Sequence, residues 1–237
     1  MADGMRPQPP PDVPAPPPCE AALISRRKMA WVMGVGISAV LFVAIAPAFI
    51  RQRRGHHGSS ETVNNARQIG LALYEFETEY GSNPDASTVA AVKLATGSML
   101  SLSGRSSNDL FAQLFASGIA QSEGMFYAEF RGSRRPDNVF HSDATILESG
   151  ECGFAYIAGL KSTDDPSTPI VFGPVIPGTK KLDRKSCEGN ATILKLDNAV
   201  TTLSIDSSGK IIYLGRDLLD PAHPIWAGRP TDVKWPK

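Results

Sequence analysis

The sequence predicts an α+β protein: an amino-terminal transmembrane helix, then an amphipathic helix packed on an antiparallel β-sheet. Three observations predict it. The run Met29–Ile50 contains no charged side chain. Between Glu61 and Tyr80, apolar residues recur at helical steps of three and four. Beyond about residue 125 the apolar period shortens towards two, and Gly, Pro, Asn and Asp break the runs. The boundaries that follow are a proline-rich tail over 1–28, a membrane helix over 29–50, a basic linker over 51–60 and a folded domain over 61–237.

The first 18 residues are dominated by proline, including Pro9–Pro11 and Pro16–Pro18. Proline lacks the amide donor that helices and ladders need, so an extended, disordered tail is expected. At about 1.5 Å per residue the run Met29–Ile50 is long enough as a helix to cross a hydrocarbon core of about 30 Å. Arg26, Arg27 and Lys28 precede it, and Arg51, Arg53 and Arg54 follow it. Both clusters suit the lipid headgroup level, so the bilayer is the first expected partner. The two clusters balance, so the positive-inside rule does not fix the orientation. The shortness of the leading segment favours an amino terminus in the cytoplasm and a carboxyl-terminal domain outside it. Ala46-Pro47-Ala48 is a small-residue site of the kind a signal peptidase cuts. Against a signal peptide, the leading region is long and the apolar stretch exceeds a usual signal core, which favours a retained anchor instead.

The linker, Arg51 to Ser60, carries Gly55 and Gly58 as a joint, and its His56-His57 pair has no carboxylate or cysteine at ligand spacing. The first helix follows, with Val63, Ala66, Ile69, Leu73, Phe76 and Tyr80 on its apolar face, Ser59 or Ser60 as cap, and Gly81-Ser82-Asn83-Pro84 as stop. A second helix is expected near Ser87–Thr96. A third follows Ser107 as cap, with Asp109 at the positive end of its dipole and Gly118 ending it. Candidate strands are Met125–Phe130, Gly153–Leu160 and Thr168–Ile176. The last three, Thr192–Leu196, Val200–Ile205 and Lys210–Leu214, read as a meander with a turn at Asp197-Asn198. The remaining residues, 215–237, read as irregular chain anchored by Trp226 and Trp235.

Lys plus Arg and Asp plus Glu number 24 each, so the chain of 237 residues is formally neutral. That excludes a whole-surface nucleic-acid binder. Of the three cysteines, Cys19 precedes the apolar run and Cys152 and Cys187 follow it. In an oxidising compartment Cys152 and Cys187 would close a loop of about 35 residues, worth roughly 3–4 kcal/mol. Two unpaired thiols are the alternative.

No catalytic constellation stands out, and no cofactor or metal is expected. Ser25 with Lys28, and Ser207 with Lys210, match a Ser-x-x-Lys spacing, but one pair sits at the membrane boundary and the other in a turn. Gly173 to Lys180 lacks the Gly-Lys-Ser/Thr ending of a phosphate loop, and its prolines remove backbone donors. His141 and His223 are isolated. Asp164-Asp165 is the best acidic pair, either a calcium-ligating loop or a solvated turn. Asn190-Ala-Thr192 matches a glycosylation sequon.

Asn65, Gln68, Ile69, Gly70, Ala72, Leu73, Tyr80, Gly81 and Pro84 together resemble the helix that follows the anchor in type II secretion pseudopilins of the major subunit type. Ser107 to Phe115 and the turn Asp206 to Lys210 are similar to segments of the same kind of protein. The resemblance implies a bacterial inner-membrane protein with a periplasmic domain, working with secretion-system or pseudopilin-like partners as a non-enzymatic subunit. Two features of that family are absent. No Gly-Phe junction opens the run, and no acidic residue lies between Met29 and Ile50. The run therefore reads as an ordinary anchor without a prepilin peptidase site. The rival expectation is an anchored ligand-binding or sensor module using the sheet face and the Asp164 loop. An anchored enzyme built on His141 or His223 has the least support.

Overall fold

The computed structural model describes residues 60–229 and 231–237. The proline-rich tail, the run Met29–Ile50, and the flanking Arg26, Arg27, Lys28, Arg51, Arg53 and Arg54 lie outside the described residues. Among the described residues no helix is long and apolar enough to cross a membrane.

Helix α1 occupies 60–80, with Ser60 already inside it. Ala66, Ile69, Leu73 and Phe76 are buried, as the spacing predicts. Gly81, at φ 79°, ends the helix by donating its N–H to the Glu77 carbonyl at 2.8 Å. Helix α2 is Val89–Thr96, closed by Gly97 at φ 64°. Helix α3 is Ser107–Ala116. Its cap is Ser106, one residue earlier than expected, because Ser106 and Asp109 form a reciprocal capping box.

Seven strands follow: β1 Ala155–Ala158, β2 Pro169–Gly173, β3 Asn190–Lys195, β4 Val200–Ser204, β5 Ile212–Tyr213, β6 Arg216–Asp217 and β7 Asp232–Lys234. Five form one antiparallel sheet in the order β4-β3-β2-β1-β7. Its register puts Tyr156, Val171 and Leu194 on one face, and Ala155, Phe172 and Ile193 on the other. Helices pack on the first face, where the Phe111 ring of α3 meets Tyr156 edge-on at 5.5 Å. On the second face Trp235 meets Phe172 edge-on at 5.6 Å. Both faces being covered explains why β1, β2 and β3 are almost continuously buried.

Three sequence expectations fail. Met125–Phe130 is not a strand: Glu123–Phe126 is a 3-10 turn, capped by the Ser122 hydroxyl. The Asn65 side chain of α1 donates to the carbonyls of Gly124 at 2.9 Å and Tyr127 at 2.8 Å, taking acceptors a ladder would need. Lys210–Leu214 does not extend the sheet. Leu214 and Gly215 both take positive φ, 49° and 77°, and fold β5 back onto β6 as a separate two-stranded sheet. The tail is not wholly irregular, because β7 completes the sheet by pairing with β1.

Gly70 has a specific steric reason. A Cβ there would stand 2.0 Å from Asn198 Oδ1 and 3.1 Å from Leu194 Cδ1. The β3–β4 turn, with Asn198 at φ 62°, leans directly on α1. Gly70→Ala is expected to cost about 1–3 kcal/mol by overpacking. Asn198→Gly in the same chain should recover most of it, since glycine accepts the turn conformation. A double-mutant cycle by urea unfolding measures this, and simple additivity would refute the contact.

The Tyr156 hydroxyl is buried and has no hydrogen-bond partner among the described residues. Tyr156→Phe is therefore expected to leave stability unchanged or raise it by up to about 1 kcal/mol. A clear loss in thermal unfolding would reveal a partner for that hydroxyl.

Candidate functional site

A cleft of about 650 Å³ lies at the carboxyl end of β1. Ile157 and Leu160 supply apolar wall from the sheet side, and Tyr213, Ile225 and Trp226 supply it from the tail. Asp165, Ser167, Thr168, Arg229 and Asp232 supply the polar rim. Trp226 is held in place because its indole N–H donates to the Leu218 carbonyl at 2.8 Å.

His223 supports this wall from behind. It is 1% exposed, and its ring stacks on Tyr213 at 5.8 Å. Its Nδ1 accepts from the Ile225 N–H at 3.2 Å, so the proton belongs on Nε2, which donates to the Tyr213 carbonyl at 3.0 Å. Both ring nitrogens are thus committed to backbone. His141 is exposed and touches the Phe140 ring. Neither histidine sits in a catalytic arrangement.

Asp164 and Asp165 are adjacent to the cleft, and their carboxylates are already engaged. Asp164 accepts from the Lys161 N–H at 3.0 Å and pairs with Arg229. Those two contacts hold its carboxyl below the usual range, the Lys161 N–H first. Asp165 accepts from the Ser167 N–H at 2.8 Å and hydroxyl at 2.7 Å, which lower it likewise. The pair therefore shapes a turn and pins the tail. Among the described residues no group of His, Cys, Asp and Glu is arranged to hold a metal ion.

The expected Cys152–Cys187 bridge is not formed; both are free, buried thiols. They are committed to different surroundings. Cys152 packs against Ser107 of α3 and donates to the Phe154 carbonyl at 3.5 Å. Cys187 lies 3.7 Å from the Thr62 hydroxyl of α1. Burial pushes the Cys152 thiol up to about 12 and raises Cys187 as well. Neither is a ready nucleophile. Within the sequon Thr192 is 1% exposed in β3, while Asn190 at the start of that strand is half-buried.

A second, smaller groove of about 270 Å³ runs between α1 and the β3–β4 turn. Leu71 and Tyr74 stand on its rim at 61% and 69% exposure, an apolar pair on the outer face of α1. Glu77 is occupied there, accepting from the Ser162 N–H and hydroxyl.

The sequence marked Trp226 as a packing anchor and the Asp164 loop as a candidate. It held no sign that Tyr213 and Arg229 would meet them, because those contacts span long separations without a local pattern. No protein-family model, no curated protein and no solved structure matches this chain.

Proposed function

We propose that this chain is a non-enzymatic, membrane-anchored structural or accessory subunit of a secretion or surface assembly of the pseudopilus type, with its α+β domain outside the cytoplasm. The observation that carries the reading is α1. Its inner face packs on the antiparallel sheet, while Leu71 and Tyr74 remain exposed on its outer face, close in sequence to the uncharged run. In this reading a neighbouring protein surface covers the pair. The absence of a Gly-Phe junction makes this an anchored accessory rather than a processed filament subunit.

The test is fractionation followed by cross-linking. The full chain should stay with membranes through an alkaline carbonate wash, and added protease should reach its domain in spheroplasts. Leu71→Cys or Tyr74→Cys should give cross-linked adducts with a bismaleimide in membranes. Recovery of the intact chain in the cytosol, or of an uncross-linked monomer in the membrane, would overturn the proposal.

The 650 Å³ cleft favours a second reading, a membrane-anchored ligand-binding or sensor module. A small molecule that raises Tm with the logarithm of its concentration above Kd would select it.

A further inference from the structure

We propose that residues 142–151 form a proton-dependent latch over α3, closed while Glu123 and Glu151 carry protons and released when both carboxyls ionise. The proposal stands independently of the membrane reading. It starts from two buried acids at one loop, Glu123 outside it and Glu151 as its last residue. Glu123 is 0% exposed and Glu151 is 1% exposed. Glu123 Oε1 accepts from the Leu147 N–H at 2.7 Å, and Glu151 Oε2 accepts from the Glu148 N–H at 2.8 Å. Two successive amides of the loop thus donate to buried carboxyls, one across to Glu123 and one to the loop's own last residue. Glu123 Oε2 has no partner among the described residues, so an ionised Glu123 keeps a charge-bearing oxygen in the dry interior.

The loop is held under tension. Leu147 takes φ 44°, a left-handed conformation that a branched side chain adopts only when its surroundings impose it. Its side chain is 2% exposed, and its carbonyl accepts from Asn108 Nδ2 of α3 at 2.7 Å. Ile146 lines a small groove with Asn108 and Ala112. Release of the latch would bare this outer surface of α3, next to Phe115 and the tilted Phe140 ring packed on it.

Acids outnumber cations around the pair. Glu123 faces Glu151 and Asp137, and its own N–H donates to Asn138 Oδ1 at 2.9 Å. Glu151 faces Arg134, Asp137 and Glu148. Among the described residues Arg134 reaches Glu148 at 2.5 Å and Glu151 at 3.1 Å, and it is half exposed to water. Burial raises the Glu123 carboxyl against the Leu147 N–H, and the neighbouring Glu151 and Asp137 charges add to the rise. Burial raises Glu151 too, against the Glu148 N–H and Arg134.

Both carboxyls hold protons more tightly in the closed loop than in the released one. Closure is therefore fully favoured below the ordinary glutamate range, about 4.3, and weakens as pH rises through the raised values. Each coupled proton changes the open population by up to about tenfold per pH unit.

Hydrogen exchange on the full chain in detergent micelles tests the latch. Protection at Leu147 and Glu148, corrected for intrinsic exchange, should fall severalfold between about pH 4 and about pH 8. The amides of β2 and β3 should hold constant. Glu123→Gln should flatten that dependence. Should this variant fail to fold, Glu151→Gln must reduce the dependence in its place. Equal protection at both pH values overturns the latch. So does a parallel loss in β2 and β3, or a wild-type pH dependence in the folded glutamine variant.

Discussion

Phe111→Ala should lower the stability of the domain by about 3–5 kcal/mol, the expected cost of emptying a large core site. Phe111 is fully buried. Its ring stacks on Phe126 at 4.7 Å and meets Tyr156 at 5.5 Å, so one side chain joins α3, the 3-10 turn and β1. The truncation removes apolar contacts from all three at once, and the surrounding strands cannot collapse into the space. A domain of this size is stable by about 5–15 kcal/mol, so the variant should sit near its unfolding threshold at physiological temperature. The urea midpoint measures it, with Leu94→Ala, 88% exposed, as the neutral control. A loss below about 1.5 kcal/mol would mean that the aromatic cluster is not the joint between these elements.

Gly173→Ala should cost about 2–4 kcal/mol through crowding and a lost hydrogen bond. A Cβ at Gly173 would stand 2.6 Å from the Gly153 carbonyl oxygen and 2.8 Å from Phe154 Cδ1. The same carbonyl accepts from the Val175 N–H at 2.8 Å. The obstacle is backbone fixed at both ends, which cannot swing aside as a side-chain tip does. Gly178→Ala separates crowding from conformation. Gly178 has φ 69° with nothing within 4 Å of its Cβ position, so only the left-handed penalty of about 1–2 kcal/mol applies. Thermal unfolding of the two variants compares them directly. Equal losses would remove the crowding argument.

The helices and most strands were legible because their signals are local. Ile69, Leu73 and Phe76 repeat at helical spacing, and Asp197-Asn198 announces a turn that Asn198 takes at φ 62°. The cap of α3 was misplaced by one residue because Ser106 and Ser107 are equivalent until Asp109 chooses between them. Met125–Phe130 misled for a different reason. Its composition suits a strand, but Asn65, about 60 residues earlier, occupies the Tyr127 carbonyl and that of Gly124 just before the segment. The candidate cleft was half visible: Asp165 and Trp226 stood out, whereas Tyr213 and Arg229 reach it through distant contacts.

The sequence by itself determined the α+β class, the helix faces, the uncharged run and the formal neutrality of the chain, because periodicity and composition are properties of neighbours. Tertiary structure alone decided that the sheet is covered on both faces and closed by β7, that Cys152 and Cys187 stay apart, and that Glu123 holds the loop at Leu147. Those outcomes depend on which distant groups compete for the same donor, acceptor or void. That competition exists only once the chain has folded.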